Sequence, residues 1–192
     1  MERKLINSGL LKRYNRYKKL VDKLLDEFDN YNAEQRNFKI SENSWSIAHV
    51  YQHLIQVENF CEKAISSRIA GGVYNTSRIK HLWRYFLLTS ALKIPRKFKV
   101  PNSAPPAIHA YDADESVIAL DWKNVSSRFE AFISEIPSNL ENKLVYKHPI
   151  AGPLKVAHAL GFLSAHLKHH LKQLKRIRKH PGFPNEKAAN QN

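Results

Sequence analysis

The chain has 192 residues, of which 43% are hydrophobic, which is enough for one substantial core and too few for two ordinary domains. Its single cysteine excludes an internal disulfide framework, and no stretch reaches the roughly 18 apolar residues of a membrane span. The formal charge of +14 leaves polyanions and small acidic ligands as candidate partners. We expect a cytoplasmic protein without membrane association, with one helical domain over residues 1–180 and a disordered polar tail over residues 181–192.

The first half of the chain predicts two long helices. Apolar residues recur at helical spacing over residues 10–28, until the polar stretch DNYNAEQRN interrupts the pattern. Ser46 is a suitable N-cap for a second helix, which starts at Ile47 and ends near the Gly71-Gly72 pair. A shorter basic helix is predicted over residues 76–93.

The second half predicts two more long helices. Prolines forbid regular structure over residues 94–111 and predict an extended surface connection. A helix is predicted over residues 114–136, NKLVYKHPIAGPL is expected to be extended and turn-like, and the last helix runs from near Pro153 to Lys179. Four long amphipathic helices with one extra helix and a Pro-rich connection predict an all-α four-helix bundle.

Three histidines lie close together in the last predicted helix, within FLSAHLKHHLKQLKRI. At about 100° per residue from Leu160, His166 and His170 lie at about 240° and 280°, on the margin of the leucine stripe. His169 lies at about 180° and is expected to face away from the core. The histidines therefore divide into an inward pair and an outward single residue.

The second helix carries His53 in an equivalent position, at about 240° from Ile47 and on the margin of its apolar stripe. Three imidazoles from two packed helices can converge on Zn²⁺, Ni²⁺ or a similar ion. Because HxxxH pairs also arise by chance, the spacing alone leaves structural histidines as an open alternative. His49 lies further from the core, which favours a site-rim position over a fourth ligand.

The segment WSIAHVYQHLIQVE, followed far downstream by HPIAGPLKVAHALGFLSAHLKHHLKQL, resembles the DinB/YfiT-like family of metal-dependent enzymes. The resemblance covers roughly residues 10–178 and implies a four-helix bundle. It also implies a divalent metal held by one His of the second helix and by the HxxxH pair of the last. Matched residue by residue, these ligands are His53, His166 and His170. Three flanking residues add to the resemblance, namely Trp45, Gly152 and Gln173.

Several other side chains are assigned structural positions. His148 lies in a turn and is expected to bond the backbone there rather than to act in catalysis. The tryptophans are expected to be core or rim anchors, namely Trp45, Trp83 and Trp122.

The residues that the predicted site lacks restrict its chemistry. A zinc-peptidase motif requires Glu directly after its first His, where this chain has Leu167, and the last helix lacks the Glu-x-x-His pairs of a di-iron centre. A mononuclear Zn, Ni or Fe site with three neutral ligands and open positions remains, and its positive charge favours anionic ligands. Any general base would come from Glu58 or from a carboxylate between Asp112 and Glu141, and the catalytic residues are unassigned.

The resemblance implies two reactions on a small-molecule substrate, namely hydrolysis or transfer of a low-molecular-weight thiol to an electrophile. We favour thiol transfer, because a metal that lowers the thiol pKa would lie beside basic side chains able to hold the thiol's carboxylates. The alternative is a basic helical adaptor for nucleic acid or an acidic partner with a vestigial metal site. Nucleic acid is the less favoured partner, since the basic residues are not interleaved with a base-stacking motif. A homodimer is compatible with either function.

Overall fold

The computed structural model of the protein describes residues 8–72, 74–76, 79–94 and 117–184. In chain order its helices and strands are α1 (Ser8–Asp29), α2 (Ala33–Asn37), α3 (Ile47–Ala70), β1 (Asn75–Thr76), α4 (Ile79–Ala91), α5 (Ile118–Glu135), a 3₁₀ turn (Ser138–Leu140), β2 (Lys143–Leu144), β3 (Tyr146–His148), β4 (Gly152–Leu154) and α6 (Val156–Arg178). The predicted all-α class is confirmed. The Pro-rich connection expected over residues 94–111 falls, apart from its first residue, outside the described part of the chain.

Four long helices form the bundle. Helix α1 packs against α5 and α6, and α3 packs against the same two helices, so that α3 and α6 share an interface. The largest fully buried side chains are Trp122, Tyr14, Tyr17, Tyr51, Tyr146, Phe28 and Phe129. Helix α4 packs on the outside of α6. None of the described helices combines the length and apolar character that crossing a lipid bilayer requires.

The segment between α5 and α6 is extended and turn-like, as its sequence predicts. Strands β3 and β4 form an antiparallel hairpin directly before α6, with His148 opposite Gly152. Gly152 has a φ of 71°, a conformation that glycine adopts without a steric penalty. Strand β2 pairs with β1, a contact that the sequence did not predict.

The polar stretch after α1 forms a short helix that the hydrophobic pattern did not predict. A capping box stabilises this helix, α2, because Asn32 Oδ1 accepts from the Gln35 amide at 2.9 Å and Gln35 Oε1 accepts from the Asn32 amide at 3.1 Å. The local hydrogen bonds therefore form a helical turn without an apolar stripe.

Residues 181–184 pack against the region around α2. The Phe183 ring contacts Tyr31 and Phe38 edge-on, and the Gln35 amide donates to the Pro184 carbonyl at 3.0 Å. The first part of the expected tail is therefore in contact with the bundle, while residues 185–192 lie outside the described residues.

Candidate metal centre

The N-cap at the start of α3 helps to place His53 at the α3–α6 interface. The Ser46 side chain caps the helix by accepting from the His49 backbone amide, which fixes where the helix begins and hence which residues face α6. His53 follows and is buried. On α6, His166 and His170 are one turn apart and face α3, with His170 buried and His166 partly exposed.

The structure brings all three predicted histidines together. His53 Nε2 lies 3.2 Å from His166 Nε2, and His170 Nε2 lies 3.1 Å from the same atom. Two ligand nitrogens at about 2.1 Å from one ion and at angles of about 90° to 109° are separated by about 3.0–3.4 Å. Both observed distances fall in this range, and all three ligand atoms lie within 4.8 Å of one another, so the group is able to hold a single metal ion.

The positions of the protons on the imidazole rings are also compatible with a bound cation. His170 Nδ1 donates to Gln173 Oε1 at 2.9 Å, so the neutral ring carries its lone pair on Nε2. His166 Nε2 lies 3.1 Å from this His170 nitrogen and 3.2 Å from His53 Nε2, and has at most one proton to share with them. A single N–H can bridge only one of these contacts, whereas one cation between the three nitrogens can accept a lone pair from each neutral ring.

Burial keeps two of these rings neutral. Desolvation lowers the pKa of His166 well below its ordinary value, and the neighbouring His170 and His53 lower it further. Desolvation likewise lowers the pKa of His170 to about 3, with His53 adding to the shift. Both imidazoles therefore have unprotonated ligand nitrogens at neutral pH, the form that a metal requires.

Two aromatic rings enclose the imidazoles. Trp45 stacks on His170 at 6.2 Å between ring centroids and also contacts His53 at 5.0 Å. Phe162 stacks on His166 at 5.4 Å. These contacts fix the ring orientations and lower the local dielectric, which strengthens electrostatic interactions at the site.

His49 and His169 lie outside the group. His49 Nδ1 is 2.6 Å from Ser46 Oγ at the start of α3 and the residue is partly exposed, as a rim position implies. His169 Nδ1 donates to the Leu92 carbonyl at 2.9 Å. The prediction that His169 faces away from the triad is confirmed, but its ring is half-buried against the end of α4 rather than turned to solvent.

His148 is bonded to the backbone of its turn, as predicted. Its Nδ1 accepts from the Ile150 and Ala151 amides at 3.1 Å each, which places the ring proton on Nε2. Burial lowers the pKa of His148 to about 4, so the ring is neutral. It contacts Phe162, which in turn stacks on His166.

The Glu58 carboxylate is hydrogen-bonded within the bundle core and is therefore not a general base for the triad. Its carboxylate accepts from Trp122 Nε1, Tyr17 Oη and Ser126 Oγ at 2.6–3.1 Å, and these donors lie on α1 or α5. Among the described residues, the three histidines are the only group able to hold a metal ion, and no carboxylate belongs to it. Asp112, the first of the other candidate carboxylates, lies outside the described residues.

Two supporting residues were not assigned a role from the sequence. Gln173 was noted only as a flanking residue, although its position three residues after His170 predicts contact on a helix surface. Phe162 precedes His166 by four residues and is related to it in the same way. Helical spacing therefore predicts both of these side-chain contacts.

The model of the DinB superfamily matches residues 16–174, a span that contains the three converging histidines and most of every bundle helix. The chain belongs to the DinB superfamily. The resemblance predicted from its histidine motifs is thereby confirmed.

Two known proteins are similar to this chain over most of its length. The uncharacterized protein YuaE of Bacillus subtilis (strain 168) is 25% identical over 174 residues, which cover 91% of this chain and 95% of YuaE. The structure of YfiT from Bacillus subtilis, described as a probable metal-dependent hydrolase with an unusual four-helix bundle topology, matches with a TM-score of 0.51 and 15% identity. That match covers 96% of this chain and 94% of YfiT. It shows that this DinB-superfamily chain has the same fold.

Proposed function

We propose that this DinB-superfamily protein is a mononuclear metal-dependent enzyme. His53, His166 and His170 hold a divalent transition metal such as Zn²⁺, Ni²⁺ or Fe²⁺, and a small anionic or thiol-containing substrate takes the remaining positions. The observation that carries this proposal is the convergence of three Nε2 atoms at ligand spacing. A closed structural zinc site would require a fourth protein ligand, and the described residues offer three.

The bound ion would supply Lewis acidity, which lowers the pKa of a coordinated water or thiol. The protein's residues determine how strongly that acidity acts. Three neutral imidazoles leave the full charge of the ion available to an anionic substrate. Gln173 holds the Nδ1 proton of His170 and so directs its Nε2 lone pair to the site.

The charge around the site favours anionic substrates. Helix α6 has no acidic residue, so the helix that supplies two of the three ligands adds no negative charge beside them. Three neutral ligands on a helix pair without a carboxylate in the group suit an anionic thiolate, which supports thiol transfer. Hydrolysis is the second reaction, supported by the description of YfiT. It requires a base to activate water, and Glu58 is held by three donors elsewhere.

Elemental analysis of protein purified without an affinity tag tests the proposal. Native protein should contain about one equivalent of a transition metal, and His166→Ala should contain less than about a tenth. His49→Ala is the matched control. His49 forms an HxxxH pair with His53 but does not belong to the three-histidine group, so this variant should retain the metal. Native protein that stays below a tenth of an equivalent after reconstitution would contradict the ligand assignment.

A further inference from the structure

Helix α4 presents a row of large apolar side chains to solvent. Trp83 is 63% exposed, Phe86 56%, Leu87 50% and Leu82 48%, and Ile94 beyond the helix end is 52% exposed. The spacing of the four helical residues places them on one face, and the Trp83 and Phe86 rings stack at 5.8 Å. The expectation that Trp83 is a core or rim anchor is therefore wrong.

The opposite face of α4 fixes this orientation. Tyr85 stacks on His158 at 4.5 Å and lies so close to Gly161 that a Cβ there would meet the Tyr85 hydroxyl at 2.0 Å. Leu88 and Leu92 pack against the core, so rotating α4 to bury Trp83 would expose these residues instead. The exposed row is a consequence of how α4 docks on α6.

Positive charge surrounds the apolar row. Arg84 and Lys93 are exposed on or just after α4, and Lys168 and Lys172 are exposed on the neighbouring α6. Lys172 Nζ donates to the Lys93 carbonyl at 2.8 Å, which ties this part of α6 to the end of α4. The sequence has no acidic residue between Glu62 and Asp112 or between Glu141 and Glu186, so neither helix contributes a negative charge.

We propose that this face of α4, namely Leu82, Trp83, Phe86 and Leu87 with the flanking Arg84, Lys93, Lys168 and Lys172, binds the surface of an anionic lipid bilayer. Aromatic and leucine side chains that enter the headgroup region, beside cations that attract anionic lipids, are typical of interfacial helices. Tryptophan suits this position because its ring is apolar and its N–H remains able to hydrogen-bond. The proposal departs from the expectation of no membrane association and is independent of the metal site.

A second copy of the chain fits the same face less well. Pairing two copies through α4 would bring together surfaces that both carry only positive charge, which opposes association. Duplex DNA would neutralise the cations but would leave the apolar row in water. An anionic bilayer satisfies both the charge and the apolar surface.

Vesicle sedimentation tests the proposal. The native protein should bind vesicles of phosphatidylcholine with about 30 mol% phosphatidylglycerol and should not bind phosphatidylcholine alone. Phe86→Ser and Leu87→Ser should each weaken binding about tenfold, since each removes one inserted apolar side chain. Leu120→Ser is the matched control, because Leu120 is 59% exposed on α5, and it should bind like the native protein.

A second readout uses Trp83 itself. Its fluorescence should shift to shorter wavelength on vesicle binding, and Trp83→Phe should bind without that shift, since Trp122 is fully buried and Trp45 packs on His53 and His170. Unchanged thermal unfolding confirms that the variants fold. The proposal is overturned if the native protein does not bind anionic vesicles, or if Phe86→Ser binds them as tightly as the native protein. It is also overturned by a lipid-free dimer that Phe86→Ser dissociates, because α4 would then be a subunit interface.

Discussion

The Nε2 atoms of His53 and His166 lie 3.2 Å apart, although 113 residues separate them in the chain. The packing of α3 on α6 creates this contact, and His170 completes the group from one turn further along α6. Imidazole nitrogens this close together are stable when a cation or a shared proton lies between them.

His170→Ala should abolish metal binding or weaken it severely, whereas His169→Ala should leave the metal content intact. The reason is that His170 Nε2 points into the triad, while His169 bonds the Leu92 carbonyl. His169→Ala should instead lower the free energy of unfolding by about 1 kcal/mol, the usual worth of one hydrogen bond. Metal analysis with denaturant titration checks both results, and equal metal loss in the two variants would contradict the assignment.

Gln173→Leu should weaken metal affinity about 10- to 100-fold without removing a ligand. The variant loses the acceptor for His170 Nδ1–H, so the ring is no longer held in one tautomer and orientation. Gln173→Glu keeps an acceptor at the same position and should retain most of the affinity. Competition with a chromogenic chelator measures the difference. Equal affinities for the leucine and glutamate variants would show that Gln173 does not orient the ring.

Cobalt substitution should reveal open coordination positions. A divalent ion held by three neutral imidazoles keeps its charge, so a thiol or small dicarboxylate at millimolar concentration should perturb the Co²⁺ d–d absorption of the native protein. His53→Ala should show no such change, because it lacks one of the three ligands. A native spectrum that neither compound alters would indicate a closed, structural site.

Glu58→Gln should change how stability depends on pH. Burial raises the pKa of the Glu58 carboxyl above its ordinary 4.5, although hydrogen bonds from Trp122, Tyr17 and Ser126 oppose the shift. A raised folded-state pKa gives stability that is fully present below the unfolded-state pKa and is lost as pH rises through the folded-state pKa. The native free energy of unfolding should therefore fall relative to that of Glu58→Gln as pH rises above 4.5.

Urea unfolding at several pH values measures this effect. Glu42→Gln, at an exposed loop position, is the matched control and should follow the native curve. Parallel curves for native protein and Glu58→Gln would contradict the raised pKa.

Duplex DNA should bind weakly and without sequence preference, and physiological salt should abolish the binding. The charge of +14 attracts phosphates, but such contacts release counterions and are steeply salt-dependent. Fluorescence anisotropy across a salt series measures this. Submicromolar affinity at about 150 mM salt would favour the adaptor function over the enzyme.

Helical periodicity made much of the site predictable. Because each residue of an α-helix turns by about 100°, the sequence alone placed His166 and His170 on one side of the last helix and His169 on another. The same arithmetic put His53 at the edge of the apolar stripe of α3. These relationships are local, since the backbone geometry within one helix fixes them.

The sequence by itself therefore determined the long helices, the faces that carry the histidines and the net positive charge. Only the tertiary structure decided which groups meet across helices. It placed Glu58 among donors from α1 and α5, turned His169 against Leu92, and left Trp83 exposed. These outcomes depend on how side chains from distant segments pack together, as Tyr85 does over Gly161, and no pattern within a single helix specifies that packing.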